Sequence, residues 1–327
     1  MMNRSILLST LSVLLLAQSQ LQAFAATSLP NSVRVPGKIL QAKIDLHSRT
    51  VSPEAVAFAE QLELLPLLHR LQSLREQVKS RANSNEPESI ALRLEFNELR
   101  EEALEKIQEV DLEVDYVEAQ ITEEQSLYAD MLQHMSTERD KNIAITNATA
   151  FGTNGILWAV CEALAIPTYK QPRLSISSGI VGILAGVVPT FASFYAMRQV
   201  AGKKYSYNEE PNMLAKIFDR PVSLHCEYPD CVWIYLNSVP PNDSSGRRRV
   251  DQIVDRWVAD KNIPSFTSRA SERQVDVITG TKTIPKTLTI DLLSTRQTML
   301  DQLTSEILKM KRLLLELMLV VRGTKQI

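Results

Sequence analysis

Glycine, histidine and cysteine are scarce in this chain, at 10, 4 and 3 of 327 residues. Ten glycines are too few for a protein built on glycine-rich loops, and neither a dinucleotide turn nor a phosphate-binding loop occurs. His47, His69, His134 and His225 are scattered, and the zinc-protease and nucleophile-elbow patterns are absent. The residues therefore point away from an enzyme and call for neither cofactor nor metal. Charge of one sign is also lacking. A formal net charge of −2 gives a nucleic-acid binder no basic surplus to work with. A hydrophobic share of 44% with 23% charged residues excludes disorder over the whole length.

What is present is divided by region. Residues 53–141 hold 9 Lys and Arg against 21 Asp and Glu, a balance of −12. Residues 198–327 hold 20 against 15, a balance of +5. Between them, residues 142–197 carry only Glu162, Lys170 and Arg173.

Residues 1–26 read as a secretory signal peptide. Arg4 supplies the positive start, and Ile6 to Ala17 form an apolar stretch too short to span roughly 30 Å of hydrocarbon. Ala23-Phe24-Ala25 gives the small-x-small pattern for cleavage. Residues 27–52 are an extended lead-in. Export bears on the cysteines. Cys161 lies in an apolar segment as a small buried residue. Cys226 and Cys231 flank the turn-like Glu227-Tyr228-Pro229-Asp230, and an oxidising compartment favours a local disulfide between them. His225 adds one further ligand, short of the four a structural zinc takes.

Residues 53–142 read as an acidic helical, coiled-coil region. Ser52-Pro53-Glu54 is a helix start, and the helix runs to about Arg81 with a kink at Pro66. After Asn83 to Pro87 a long helix follows. Leu92, Phe96, Leu99, Ala103, Ile107, Val110, Val114, Val117, Ile121, Tyr128, Met131 and Met135 recur at three- and four-residue steps, with Glu124 in one slot. Such a seam needs a partner.

Residues 143–197 read as a two-helix transmembrane hairpin, 143–166 and 176–197, joined by Pro167 to Arg173. The second segment has 22 residues without a charge and contains Pro189. The first carries Asn147, Asn154 and Glu162. Ser178, Gly182, Gly186 and Thr190 recur every four residues, and Ala148, Gly152, Gly155, Ala159 and Ala163 make a similar series in the first segment. Small residues at that spacing let helices approach closely in lipid. Glu162 is the intramembrane acid. It either reaches the interface and Lys170, or serves a proton or cation relay. The signal peptide orients the mature N-terminus outward and places Lys170 and Arg173 inside. Arg198, Lys203 and Lys204 then lie outside, against the positive-inside bias.

Residues 205–265 read as a small mixed α/β unit. Its elements are a helix at 211–218, strands at 221–224 and 231–236, and a helix capped by Ser245. Trp233 and Trp257 share its core. Arg247-Arg248-Arg249 sits at the start of the last helix, as a solvated run or an anion contact. Residues 266–285 read as a connector and 286–322 as a C-terminal heptad helix. Leu293, Leu300, Ile307, Leu314 and Val321 alternate with Arg296, Leu303, Met310 and Leu317, so eight of nine seam positions are apolar. Antiparallel packing of 287–322 on part of 88–142 would satisfy both seams and oppose their charges.

The fold class is mainly α: long coiled-coil-like helices, a two-helix transmembrane hairpin and a small mixed α/β unit. The functional expectation is an exported, membrane-anchored scaffold or interaction protein in the cell membrane, with its large regions on the extracytoplasmic, periplasmic side. Its partners are the lipid bilayer and a protein held, or a second copy self-associated, through the coiled coils; nucleic acid is not among them. The alternative is an accessory subunit or sensor of a membrane transport or signalling complex.

Overall fold

A computed structural model describes residues 48–81, 86–166, 174–200, 202, 205–207, 211–223, 226–265, 269–281 and 286–327. The signal peptide expected at 1–26, the expected lead-in up to residue 47 and the linker 167–173 lie outside the described residues. The protein is mainly helical, with one helix far longer than the rest.

Helix α1 is Pro53–Gln61 and α2 is Leu65–Ser80. Ser52 caps α1 by accepting from the Ala55 N–H at 3.2 Å. The single kinked helix expected to Arg81 is two helices. Glu63 takes a left-handed backbone between them (φ 56°). Pro66 falls in the first turn of α2, where its missing N–H has no intrahelical partner to lose, so it opens a helix rather than bending one.

Helix α3, Pro87–Ala165, has 79 residues and is about 120 Å long at 1.5 Å per residue. It runs without a break from the acidic region into the first apolar segment. No proline or glycine occurs between residues 88 and 151 to stop it. Helix α4, Leu174–Val200, with Pro189 inside it, packs along the C-terminal part of α3. Thr146 Oγ1 meets Gln199 Oε1 at 3.0 Å, and Ser178 Oγ meets the Cys161 carbonyl at 3.1 Å. The two helices are therefore antiparallel.

The C-terminal heptad helix is α8, Ile290–Ile307, and α9, Lys309–Arg322, bent at Leu308. Both pack on α3. Gln125 donates to Asp301 at 2.6 Å, while Lys311 reaches Asp111 at 2.7 Å and Asp115 at 2.6 Å, so this pairing is antiparallel as expected. The seams meet as cores. Ala103, Ile107, Val110, Val114, Val117 and Ile121 are buried, as are Leu293, Leu300, Leu303, Ile307, Met310, Leu314, Leu317 and Val321. Each buried leucine contributes about 1.5–3 kcal/mol, against about 0–1 for an exposed ion pair. Apolar burial thus holds the helices, and the charges orient them. Helix α9 ends at Gly323, whose φ of 84° suits glycine. Arg75 donates to the carbonyls of Val320 and Val321 there, at 3.1 and 2.5 Å. A Cβ on Gly323 would lie 2.7 Å from the Arg75 Cζ.

The mixed α/β unit is not formed. Residues 231–236, expected as a strand, lie in α5, Asp230–Asn237. Cys231, Val232, Tyr235 and Leu236 are its buried residues, a helical spacing that β-prone side chains obscured. Pro229 precedes it and Asp230 sits in its first turn. Residues 211–218 form turns ending in a short 3-10 segment, Lys216–Phe218, and residues 221–223 make no strand. Helix α6, Arg249–Ala259, starts three residues later than a Ser245 cap would set, and the Ser245 N–H and hydroxyl both donate to Asp243 instead. The connector contains helix α7, Arg269–Ile278, with Ser271, Val275 and Ile278 buried. Strand β1, Tyr205–Tyr207, pairs antiparallel with β2, Lys286–Leu288, beyond the unit it was assigned to. Trp257 is fully buried against Phe218, and Trp233 packs on Tyr228 at the edge of the same core.

Two outcomes follow. The double variant Leu303→Asp, Met310→Asp should strip hydrogen-exchange protection from residues 103–121 of α3 as well as from α8. Protection of α3 unchanged from wild type would show that its stability is independent of this seam. Gly323→Ala should cost at least about 1 kcal/mol, read as a lower midpoint in thermal denaturation, because the left-handed backbone and the Arg75 clamp both resist a side chain.

Candidate functional site

The feature that sets this protein apart is apolar surface left uncovered. Ser175–Val200 is the one helix among the described residues long and apolar enough to cross a membrane, and nearly all of it is exposed. Ile176 is 71% exposed, Phe191 71% and Met197 60%. The neighbouring end of α3 repeats the pattern, with Phe151 at 76% and Ile156 at 66%. Exposed apolar patches on monomeric soluble proteins rarely exceed a few hundred Å². Ser175–Val200 is thus weakly consistent with membrane association by its length and apolar character.

The small residues divide by face. Ser178 and Gly182 turn toward α3. Ser178 shares three contacts with Cys161, and a Cβ on Gly182 would sit 3.4 Å from the Cys161 Sγ. Ala185 is buried in the same contact. Gly186 and Thr190 are exposed, and Thr190 bonds back to the Gly186 carbonyl at 3.0 Å. On α3 the series Ala148, Gly152, Gly155, Ala159 and Ala163 is exposed throughout. The four-residue repeat drifts around a helix of 3.6 residues per turn, so one repeat cannot stay on one contact face. Glu162 is exposed on the outer side of α3, beside Ala163.

Polar side chains punctuate the helical body at defined places. Glu124, the odd slot in the acidic seam, accepts from the Tyr128 hydroxyl at 2.7 Å and from the Met213 N–H at 3.0 Å. It ties α3 to the loop before α5. Burial, with Glu124 beside it, raises the Tyr128 hydroxyl well above its ordinary pKa. Arg296, the odd slot in the C-terminal seam, is 1% exposed and donates to the carbonyls of Ile278 and Val277 at 2.8 and 2.7 Å. It closes the end of α7 and stacks over Tyr128. Glu316 and Lys325 form a buried ion pair at 2.7 Å, and Ser52 donates to the same carboxylate. That pair joins the chain entering α1 to the chain leaving α9, where Thr50 and Gln326 also bridge. Each of the three arginines at 247–249 has an acid: Asp255, Asp251 and Glu306 respectively. Sequence pattern hid these roles because the partners are distant in the chain. The only signal was a polar residue inside an apolar repeat.

The disulfide expected between Cys226 and Cys231 is not present. Cys226 Sγ donates to the Pro211 carbonyl at 3.1 Å. Cys231 is buried on α5, its thiol pushed well above the ordinary range by burial and by a hydrogen bond to Glu113. The helix starting at Asp230 turns this sulfur toward α3. Among the described residues no group of three His, Cys, Asp or Glu side chains is placed to hold a metal ion.

Comparison with protein-family models, with curated proteins and with solved structures gives no match. The function must be argued from this chain.

In the native protein at mildly alkaline pH, Cys231 should resist iodoacetamide and react only after unfolding. Mass spectrometry of the alkylated chain reads this directly. Prompt native labelling of Cys231 would mean that α5 is not packed on α3.

Proposed function

We propose that this protein is an exported, membrane-anchored helical scaffold that holds a partner at the membrane surface. The observation that carries the reading is the exposed apolar length of Ser175–Val200 with the bare end of α3 along it. In this reading the two helices form a transmembrane hairpin, and α3 continues out of the bilayer into the helical body. Contacts of α3 with α2, α8 and α9 support an anchor joined stiffly to that body, since one helix belongs to both. A signal peptide at 1–26, as the sequence pattern suggests, would make that body extracytoplasmic. The part of α3 left exposed offers a partner Leu112 and Tyr116 among its carboxylates.

A second reading is an accessory subunit or sensor of a membrane complex, and Glu162 favours it. A carboxylate on the outer side of an apolar helix is costly in lipid and invites a partner helix. Glu162→Gln with Gly186→Leu separates the two. Capture of the partner that survives both changes favours the scaffold, and loss of capture favours the membrane complex.

The protein should stay in the membrane pellet after alkaline carbonate and enter solution only with detergent. Cysteines introduced at Glu105 and at Lys170 should differ, with Glu105→Cys alone labelled by an impermeant thiol reagent in intact cells. Release by carbonate would overturn the anchor, and labelling at both positions would overturn the topology.

A further inference from the structure

Where α4 ends, a groove of ≈ 400 Å³ opens against α3, lined by Glu138, Arg139, Asn142, Tyr195, Arg198, Gln199 and Gly202. Its depth along the helices is informative. Along α4 the exposed apolar residues of α3 run from Ile145 onward, and those of α4 end at Tyr195, Met197 and Val200. The groove therefore lies at the edge of the apolar band, on the side of the helical body. In a bilayer that is the level of the headgroups, where tyrosine and arginine concentrate.

The lining suits a phosphate. Arg139 is fixed by Asp140 at 2.9 Å, and Arg198 is exposed with no ion pair to a described residue. The Thr146 Oγ1 lies 2.9 Å from the Asn142 carbonyl and 3.0 Å from Gln199 Oε1, which anchors the Gln199 amide and leaves its N–H groups to donate. Guanidinium groups bind phosphate oxygens in pairs, and amides add neutral donors. The adjoining sequence reinforces the sign. Residues 138–142 and 198–204 carry Arg139, Lys141, Arg198, Lys203 and Lys204 against Glu138 and Asp140. The Arg247–Arg249 run differs, because all three of its members face an acid, whereas in the groove Arg139 faces Asp140 and Arg198 has no ion pair to a described residue.

We infer that this groove binds the phosphate of an anionic phospholipid headgroup at the surface of the membrane the protein is anchored in. The inference rests on the membrane-anchored reading above. It also accounts for basic residues on the body side of the anchor, which the positive-inside bias does not.

The test uses the full chain in mild detergent, titrated with phosphatidylglycerol, with phosphatidylcholine and with inorganic phosphate, and read by native mass spectrometry. Phosphatidylglycerol should be retained and phosphatidylcholine lost. Arg139→Gln and Arg198→Gln should each weaken retention about fivefold, and the pair about twenty-five-fold. Glu138→Gln should strengthen it, and Arg198→Lys should keep most of it. Unchanged melting by circular dichroism shows that each variant is folded. Equal retention of the two lipids, or a double variant that holds phosphatidylglycerol as wild type does, overturns the inference. Displacement of the lipid by equimolar inorganic phosphate overturns the lipid source and assigns the groove to a soluble phosphate. Carbonate extraction of the wild type is the separate control. A protein that stays in the pellet yet shows no lipid preference loses the groove assignment and keeps the anchor.

Discussion

Everything outside the exposed apolar band hangs on the burial of one apolar stripe of α3 beneath α8 and α9. An isolated helix gains little from its own hydrogen bonds in water. Helix α3 persists as an acidic rod because Ala103 to Ile121 are covered by leucines from the far end of the chain. That contact also closes the topology. The chain runs out along α3, returns along α4, and must come back beside the same stretch of α3 for its last helices to fit. Residues 53–142 and 205–327 consequently stand on one side of the band.

Polar groups within this core specify register where apolar packing alone would tolerate sliding. Glu124 takes the Met213 N–H, Arg296 takes the end of α7, and Lys311 sits between Asp111 and Asp115. Leaving a buried polar group without a partner is costly, so a slip of one turn that separated Glu124 and Arg296 from these partners would be penalised. The Glu316–Lys325 pair acts in the same way at the chain ends. It contributes more to which arrangement forms than to how stable that arrangement is.

The band itself obeys another physics. Two helices with apolar side chains facing outward and small ones between them have no hydrophobic reason to associate in lipid. Close approach at Ser178, Gly182 and Ala185 supplies the packing instead. A continuous α3 joins the band to the helical body without a break. The groove at Arg139 and Arg198 lies at that junction.

By itself the sequence determined the mainly helical class, the two heptad seams with their mutual packing, the capped start of α1 and the apolar length of 176–197. These features are periodic or local, and periodicity survives without coordinates. Tertiary structure decided the rest. Residues 231–236 are β-prone in composition yet helical, because Tyr235 and Leu236 must reach the core that Phe58 and α3 present. The mostly polar 269–278 folds as a helix because Val275 and Ile278 have a core to enter and Arg296 to close their last turn. Cys226 and Cys231 look paired along the chain, but the helix between their partners turns one to Pro211 and the other to Glu113. Gly186 and Thr190 look like a contact face until the helical phase carries them outward. For the first three the deciding partner lies elsewhere along the chain, and for Gly186 and Thr190 the phase of the helix decides.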